Sequence, residues 1–439
     1  MTVMSELGRA YRNGKSRYAR LKKSEPARLV MKEQYGKKPG NMLIHGDNAK
    51  VMDSLLRREG MAGRINMIYI DPPFFSKADY DAVLKVGNET IRHTVYGDNW
   101  RFGKAGYFSM LTSSLMQMKE LLASDGLIWL HLDWHAAAFA RLIMDEIFGE
   151  ENFVNEIVWN YKSGGSSSRH FARKHDTILV YAKSRKYAFY PLQEKSYNRQ
   201  LKPYRFKGVK EYRDEVGWYT MVNMKDVWQI DMVGRTSSER TGYATQKPEE
   251  LLKRIILSST KEGDLCADFF SGSGTLAAAA AKTGRRFIAC DTGPLAVETS
   301  SARLTACGAD FGVYEEEGRP EKENLSLKYE VSVDEIPFSD DRMVKIELKS
   351  LRINGLSEVT GADEAVRVKE MIRERPLDFL ESWSVDFDFD GKLHSPSFVS
   401  ARTGKGIETV CSGILRKGKR LNIKAADIFG NSVFIEPEI

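Results

Sequence analysis

The chain has 439 residues, 42% of them hydrophobic and 29% charged, an ordinary balance for a globular protein of two to three domains. It holds no run of 18 apolar residues, which excludes a membrane-spanning helix, and Met1-Thr2-Val3-Met4-Ser5-Glu6 lacks the apolar stretch of a secretory signal. The net charge of +6 is uneven: residues 1–40 carry eleven Lys/Arg against three Glu, and residues 160–240 carry seventeen against eight acids, so the remainder is acidic.

Concentrated basic stretches suit a polyanionic partner, although any single charge run is more commonly a solvated face. Four cysteines (Cys266, Cys290, Cys307, Cys411) lack C-x-x-C spacing. They are read as buried thiols of a reducing cytoplasm, with neither a zinc site nor a disulfide frame.

In chain order, residues 1–40 are read as a loosely held basic arm or helix. Asn41 to Asn48 gives a short strand and turn, and Val51, Leu55 and Leu56 give a short helix. Ile65 to Ile70 is an apolar run that predicts a buried strand. Pro72 and Pro73 stop it, since neither donates to a sheet ladder. Asp71 therefore stands at a strand's carboxyl end, the edge where open α/β sheets hold ligands. A carboxylate, a rigid carbonyl and the Phe74 ring suit the grip of a planar base that carries an amino group. Taken alone, the same residues also fit a strand, a Pro-Pro loop and a buried Phe.

Residues 76–106, with Tyr80, Tyr96 and Trp100 among Gly, Asp, Asn and Lys, predict a long loop. Phe108, Leu111, Leu115, Met118 and Leu122 recur at helical spacing, and Gly126 to Leu132 predicts another buried strand. His131, Asp133 and His135 alternate at its end. A metal site is conceivable, but alternating side chains at a strand end diverge unless the backbone turns, so they are read first as a packed, hydrogen-bonded edge of a site. Residues 136–148 predict an amphipathic helix.

Residues 152–240 change character. Ser163-Gly164-Gly165-Ser166-Ser167-Ser168 is flanked by Lys162, Arg169, His170, Arg173 and Lys174, and further on aromatics interleave with bases. Such residues hold phosphates, read guanine or stack on bases, and the aromatics also suit a small core of their own. Thr245-Gln246-Lys247-Pro248 opens a helix, with proline expected at its first position. Residues 265–291 form a β-α-β unit whose first turn, Gly272-Ser273-Gly274-Thr275-Leu276-Ala277, has the G-x-G-x-x-A form of a nucleotide-binding turn. Asp291 ends the next strand and can accept from ribose hydroxyls. No Gly-Lys-Ser/Thr follows, so it is not a Walker loop. By itself this turn allows NAD or S-adenosylmethionine. Glu315-Glu316-Glu317 is read as the start of a linker, and Val385 to Gly391 and residues 407–436 as strands of a small β-rich domain, with Asp386, Asp388 and Asp390 on a solvated face.

Asp71-Pro72-Pro73-Phe74, followed far downstream by Asp268-Phe269-Phe270-Ser271-Gly272-Ser273-Gly274-Thr275, resembles the amino-methyltransferases of DNA in their beta-class motif order. His45-Gly46-Asp47-Asn48 resembles the family's G-D segment, and Thr245-Gln246-Lys247-Pro248 its T-Q-K-P segment. The motif order, with a C-terminal extension near Asp427 to Asn431, is similar to modification subunits of type III restriction systems. Phe74 stands where tyrosine is commoner, and Phe269 where many members have proline. The resemblance implies an α/β, Rossmann-like S-adenosylmethionine-dependent methyltransferase sheet with an inserted target recognition region and a small β-rich C-terminal domain. The expected divisions are a basic arm (1–40), a catalytic half (41–151), the recognition region (152–243), a cofactor half (244–312) and the C-terminal domain (313–439).

It further implies catalytic Asp71, Pro72, Pro73 and Phe74. The implied cofactor residues are Asp47, Gln246, Lys247, Pro248, Asp268, Phe270, Gly272, Ser273, Gly274, Thr275 and Asp291. S-adenosylmethionine is the implied cofactor, S-adenosylhomocysteine its product, and no metal is expected. Double-stranded DNA is the expected partner, and a restriction or other defence-system subunit and a homodimer are compatible with the resemblance. A base is expected to be flipped out and stacked on Phe74, with Asp71 and the Pro72 carbonyl accepting from its amino group. Aspartate in this motif goes with adenine-N6 more than cytosine-N4. Cytosine-N4 or RNA methylation, a dehydrogenase and a non-catalytic DNA-binding or assembly subunit are the competing readings; the dehydrogenase leaves Asp71 to Phe74 and the basic insert idle.

Overall fold

The structure is a computed structural model. It describes residues 2–37, 40–75, 79–87, 89–97, 103–163, 165–234, 236–320, 324–403 and 406–439, with the side chains of 79–81, 94–97 and 359 excepted. Trp100 and Gly164 lie outside the described residues, as do the side chains of Tyr80 and Tyr96.

Helix α1 (Val3–Leu21) leads to β1 (Leu29–Tyr35), β2 (Met42–His45), α2 (Asn48–Arg57) and β3 (Ile65–Ile70). The hairpin β4 (Asp79–Val86) and β5 (Glu89–Gly97) precedes α3 (Gly103–Leu121), β6 (Leu122–Leu132), α4 (Ala137–Phe148), β7 (Phe153–Asn160) and β8 (His175–Ala182). Then come β9 (Gln193–Tyr197), β10 (Glu211–Arg213), β11 (Trp218–Asn223) and β12 (Val227–Gln229). The chain continues with α5 (Glu249–Ser259), β13 (Leu265–Asp268), α6 (Thr275–Lys282), β14 (Arg286–Asp291), α7 (Pro294–Ala306) and β15 (Phe311–Glu316). The C-terminal part holds β16 (Leu325–Glu335), β17 (Arg342–Ile353), α8 (Leu356–Thr360), α9 (Ala362–Glu374), β18 (Leu380–Phe389), β19 (Phe398–Ala401), β20 (Val410–Leu415), β21 (Arg420–Asp427) and β22 (Ser432–Ile435).

The central sheet has ten strands in the order β1-β15-β2-β14-β13-β3-β6-β8-β7-β12. From β15 through β6 all neighbours run parallel. Strands buried on both faces read as continuous apolar runs, and β3 shows the division of labour. Ile68 and Ile70 pack on the face covered by α1 to α4, while Met67 and Tyr69 pack on the face of α5 to α7. Each fully buried Ile or Leu stabilises by about 1.5–3 kcal/mol.

Four expectations give way here. The N-terminal arm is not loosely held: α1 crosses α3 so closely that a Cβ on Gly14 would lie 2.5 Å from that of Thr112, and β1 is a sheet strand. Of the long loop expected over 76–106, residues 79–86 and 89–97 are strands of a hairpin, 103–106 begin α3, and 76–78, 88 and 98–102 lie outside the described residues; Ala82, Leu84, Val86 and Ile91 bury one face of the hairpin against the C-terminal domain. The expected boundary at 152 falls inside the sheet, because β7, β8 and β12 extend it beyond β6. The acidic run at 315 is no linker. Glu315 and Glu316 end β15, where Glu316 accepts from the Asp47 N–H at 2.8 Å.

The C-terminal domain is β-rich, with sheets β16-β17-β20 and β19-β18-β21-β22. Asp386 does not face solvent: it is buried and accepts from the N–H groups of Asp388 (2.9 Å) and Ser395 (2.8 Å). Strand β21 does not alternate either, being buried from Leu421 to Asp427. The reason is docking onto the central sheet. Lys424 points out of β21 and donates to Glu33 of β1 (2.8 Å) and Glu298 of α7 (3.0 Å), with all three side chains buried. Backbone bonds between the His394 segment and β1 close the same seam. Among the described residues no helix is long and apolar enough to cross a membrane.

Breaking a buried ion cluster by removing one partner costs about 3–5 kcal/mol, since uncompensated charge is left behind. Lys424→Met is therefore expected to lower stability by about that amount in chemical denaturation, and Glu33→Gln with Glu298→Gln to restore most of it.

Candidate functional site

Parallel strands joined by crossover helices release their loops at one edge. Four neighbours in the sheet, β2, β14, β13 and β3, thus deliver Asp47, Asp291, Asp268 and Asp71 side by side. Between them lies a cavity of about 380 Å³, a size suited to a small organic cofactor. Its walls include Asp47, Asp71, Pro73, Gln246, Lys247, Asp268, Phe270, Gly272, Ser273, Thr275 and Asp291, eleven of the fifteen expected site residues.

The other four stand just outside the lining. Phe74 presents its ring 5.8 Å from the His131 ring and 5.4 Å from Lys247 Nζ. Pro72 lies between Asp71 and Pro73. Pro248 is the N-cap of α5 rather than its first residue. Gly274 caps α6 at φ +69°, where a Cβ would lie 2.6 Å from Ser300 Oγ.

Several expected cofactor residues are bonded to the chain itself. Asp47 caps α2 by accepting from Ala49 (3.0 Å) and Lys50 (3.2 Å). Asp291 accepts from the N–H groups of Gly272 and Gly293, each at 2.8 Å, which ties the glycine loop to the next strand. The Gln246 amide accepts from Thr241 and donates to the Glu239 carbonyl at 2.6 Å, pinning residues 239–246 as a wall. Asp268 is buried and accepts from the Phe270 N–H at 2.9 Å. Burial pushes its carboxyl well above the usual carboxylate range, and the charges of Asp71 and Asp291 add to this. Burial raises Asp291 as well, against the pull of its backbone donors.

Lys247 forms an ion pair with Asp71 Oδ2 and also donates to the Thr245 carbonyl at 3.3 Å. Thr245 holds φ +57° and Phe75 φ +62°, so both segments that frame Asp71 carry a non-glycine residue in the left-handed region. Such strain collects at functional sites.

Behind Asp71 runs a buried polar chain. Tyr69 Oη and His131 Nδ1 are 2.8 Å apart, His131 Nε2 and Asp176 Oδ2 3.3 Å, and Tyr161 Oη donates to Asp176 Oδ1 at 3.2 Å. His131 Nδ1 lies 3.9 Å from Asp71 Oδ1, which is itself buried without a hydrogen bond. Burial alone would raise Asp176, but the His131 hydrogen bond and charge hold it below the usual range. Thus His131 is the packed site edge expected, while Asp133 and His135 pair with each other at 2.5 Å.

Sequence reasoning missed Arg17, Met110, Tyr243 and Arg303. The first three line the cavity from α1, α3 and the segment before α5. Arg303 on α7 donates to Thr275 Oγ1 (2.9 Å) and Glu249 (2.9 Å), bracing the glycine loop. No local pattern marks them; they arrive by tertiary packing.

The lining fits S-adenosylmethionine. Four carboxyl groups against Arg17 and Lys247 favour a cationic ligand, Phe269, Phe270, Leu252 and Leu276 offer an apolar slot, and buried Ser271 Oγ lacks a partner. In the basic insert, Tyr212 stacks on Tyr219 and Tyr197 meets Tyr219 edge-on on the sheet β10-β11-β9, with Lys195 4.6 Å from the Tyr219 ring centre. These rings pack on one another at the surface, and none of the three is fully buried. Phe206 stands exposed, its ring 5.3 Å from that of Tyr204.

A family model described as DNA methylase matches residues 65–302. Type II methyltransferase M2.DpnII of Streptococcus pneumoniae is 30% identical over 286 residues, covering 63% of this chain and 94% of the relative. DNA adenine methyltransferase YhdJ of Escherichia coli (strain K12) is 25% identical over 269 residues, covering 60% and 82%. A crystal structure of the M1.HpyAVI–SAM complex aligns with a TM-score of 0.39 at 17% identity, over 60% of this chain and 98% of that one.

Alanine at Gly274 would combine a left-handed backbone with overlap on Ser300. Gly274→Ala is expected to cost about 1–3 kcal/mol in denaturant unfolding, and Gly308→Ala, with φ +69° but nothing within 4 Å, less.

Proposed function

Because the chain belongs to the DNA methylase family, we propose that it transfers a methyl group from S-adenosylmethionine to the exocyclic N6 of adenine in double-stranded DNA. The observation that carries this reading is the meeting of Asp71 and the glycine loop on one cavity, with the Phe74 ring just outside its lining, 5.4 Å from Lys247 Nζ. The cofactor supplies an electrophilic methyl group. The chain's residues orient the acceptor. A base amino group is a poor nucleophile because its lone pair is delocalised into the ring. The Asp71 carboxylate and the Pro72 carbonyl accept from it, favour a more tetrahedral nitrogen and stabilise its developing positive charge. Phe74 stacks on the base and offsets part of the cost of flipping it. Lys247 must share or yield Asp71 Oδ2 when the amino group arrives.

Gly272, Ser273, Gly274 and Thr275 shape the cofactor turn, with Asp47, Gln246, Lys247, Pro248, Asp268, Phe270 and Asp291 around it. Residues 183–243, with their stacked tyrosines and lysines, are proposed to hold the duplex. Adenine is favoured by the aspartate in the motif and by the likeness to YhdJ. A restriction or other defence-system subunit is proposed on the likeness to a type III restriction-modification Mod subunit, and a homodimer and a cytoplasmic setting are proposed by analogy with the family.

Labelled S-adenosylmethionine and unmodified duplex DNA, followed by nucleoside mass spectrometry, test the reading. Label is expected in methyladenine and is expected to fall about a thousandfold or more in Asp71→Ala. Methylcytosine would overturn the base assignment, and DNA binding without transfer the enzymatic reading.

Proton linkage gives an independent check. Asp268 stands raised in the free chain, so a cation bound beside it lowers its affinity for the proton. Cofactor binding is expected to release protons and to strengthen as pH rises toward the raised value, levelling above it. Calorimetry in buffers of different ionisation heat should show this for S-adenosylmethionine and less for uncharged-sulfur S-adenosylhomocysteine.

A further inference from the structure

We propose that residues 165–174 enter the DNA duplex, with Phe171 as the wedge that fills the space vacated by the flipped base. The inference rests on the base-flipping reading of Asp71 and extends it to a residue outside the cavity.

Register fixes the place. His131 pairs with Ile178 and Leu132 with Thr177 across β6 and β8, while Asn160 pairs with His175 across β7 and β8. Both roots of the segment therefore lie at the carboxyl edge of β6, beside the edge that carries Asp71. The Tyr161 N–H donates to the Lys174 carbonyl at 2.9 Å and closes the base of the loop. The root reaches Asp71 through Tyr161, Asp176 and His131 in steps of 3.2, 3.3 and 3.9 Å.

Chemistry fixes the partner. Phe171 is 98% exposed, and a phenyl ring held in water gains only when an apolar surface covers it. Its surroundings are cationic: Lys162, Arg169, Arg173 and Lys174 fall within 162–174, and no acid does. Outside the loop, Asp231 pairs with Lys162 at 3.6 Å. Arg173 lies over the Trp134 ring at 3.9 Å, and Trp134 is half exposed on the β6–α4 connection. Serine and glycine make up 163 and 165–168, so the loop can run close to a phosphate backbone. An apolar ring inside a cationic loop matches nucleic acid, whose stacked bases lie between phosphates. Proteins that unstack DNA insert such side chains between base steps.

The test uses the recognition duplex mapped from the wild-type chain's own methylation of unmodified DNA. Phe171→Ala and Phe171→Trp are assayed on the matched duplex and on one mismatched at the target base. The mismatch weakens the stack beforehand and relieves the need for a wedge. Phe171→Ala is expected to lose about ten- to a hundredfold in kcat/KM on the matched duplex and no more than about threefold on the mismatched one. Phe171→Trp is expected to stay near wild type. Cofactor affinity is expected to be unchanged in both, which shows that the fold is intact. The fluorescence rise of 2-aminopurine at the target position is expected to fall in Phe171→Ala. Equal losses on both duplexes, or none on either, would overturn the proposal. Failure of the parent reading shows differently, as no methyl transfer by the wild-type chain, and takes the wedge with it.

Discussion

The parallel register of the central sheet is the constraint on which the rest depends. Parallel strands joined by crossover helices leave the sheet at the same end, so β2, β14, β13 and β3 place four aspartates in adjacent positions although up to 244 positions of sequence separate Asp47 from Asp291. The cavity then follows without any further device. Four carboxyl groups crowd one edge, burial drives Asp268 and Asp291 upward, and Lys247 neutralises the fourth. A site built this way has an electrostatic preference for a cation before any specific contact is made.

The two motifs that carry the site were legible because each is local. An apolar run stopped by Pro72-Pro73 and a strand turning through Gly272 and Gly274 announce themselves within a dozen residues. The β4–β5 hairpin was less legible although its signal exists: Ala82, Leu84 and Val86 alternate with exposed or polar positions, but Gly, Asp, Asn and Lys nearby outweighed three small apolar side chains. Strands β7 and β8 were counted with the insert because their pairing into the central sheet is decided across the fold. Arg17 and Arg303 illustrate the general limit. Each reaches the site from a helix face, and nothing in its own neighbourhood tells that face from any other. Asp291 and Gln246 show a subtler gap, since both line the cavity while their polar atoms bond backbone groups of the walls themselves.

The C-terminal domain is woven into the site rather than appended to it. The hairpin that follows the Asp71 segment buries its apolar face in that domain's core. Gly430 lies so close to α7 that a Cβ would stand 2.3 Å from the Leu295 nitrogen, a few residues from Asp291. Both the target side and the cofactor side of the cavity are therefore braced from the same direction.

The Lys424 seam sets the order in which the protein can be made. Glu33 and Glu298 share a buried site in which both accept from the ammonium group that β21 supplies. During synthesis the first emerges early and the second after most of the sheet, yet the lysine that reconciles them follows 126 residues later. Until then two carboxylates face each other, and the edge strand β1 lacks its outer neighbour. The ten strands of the sheet can therefore pair before the seam that braces its β1 edge is neutralised, and that edge is settled only when β21 docks.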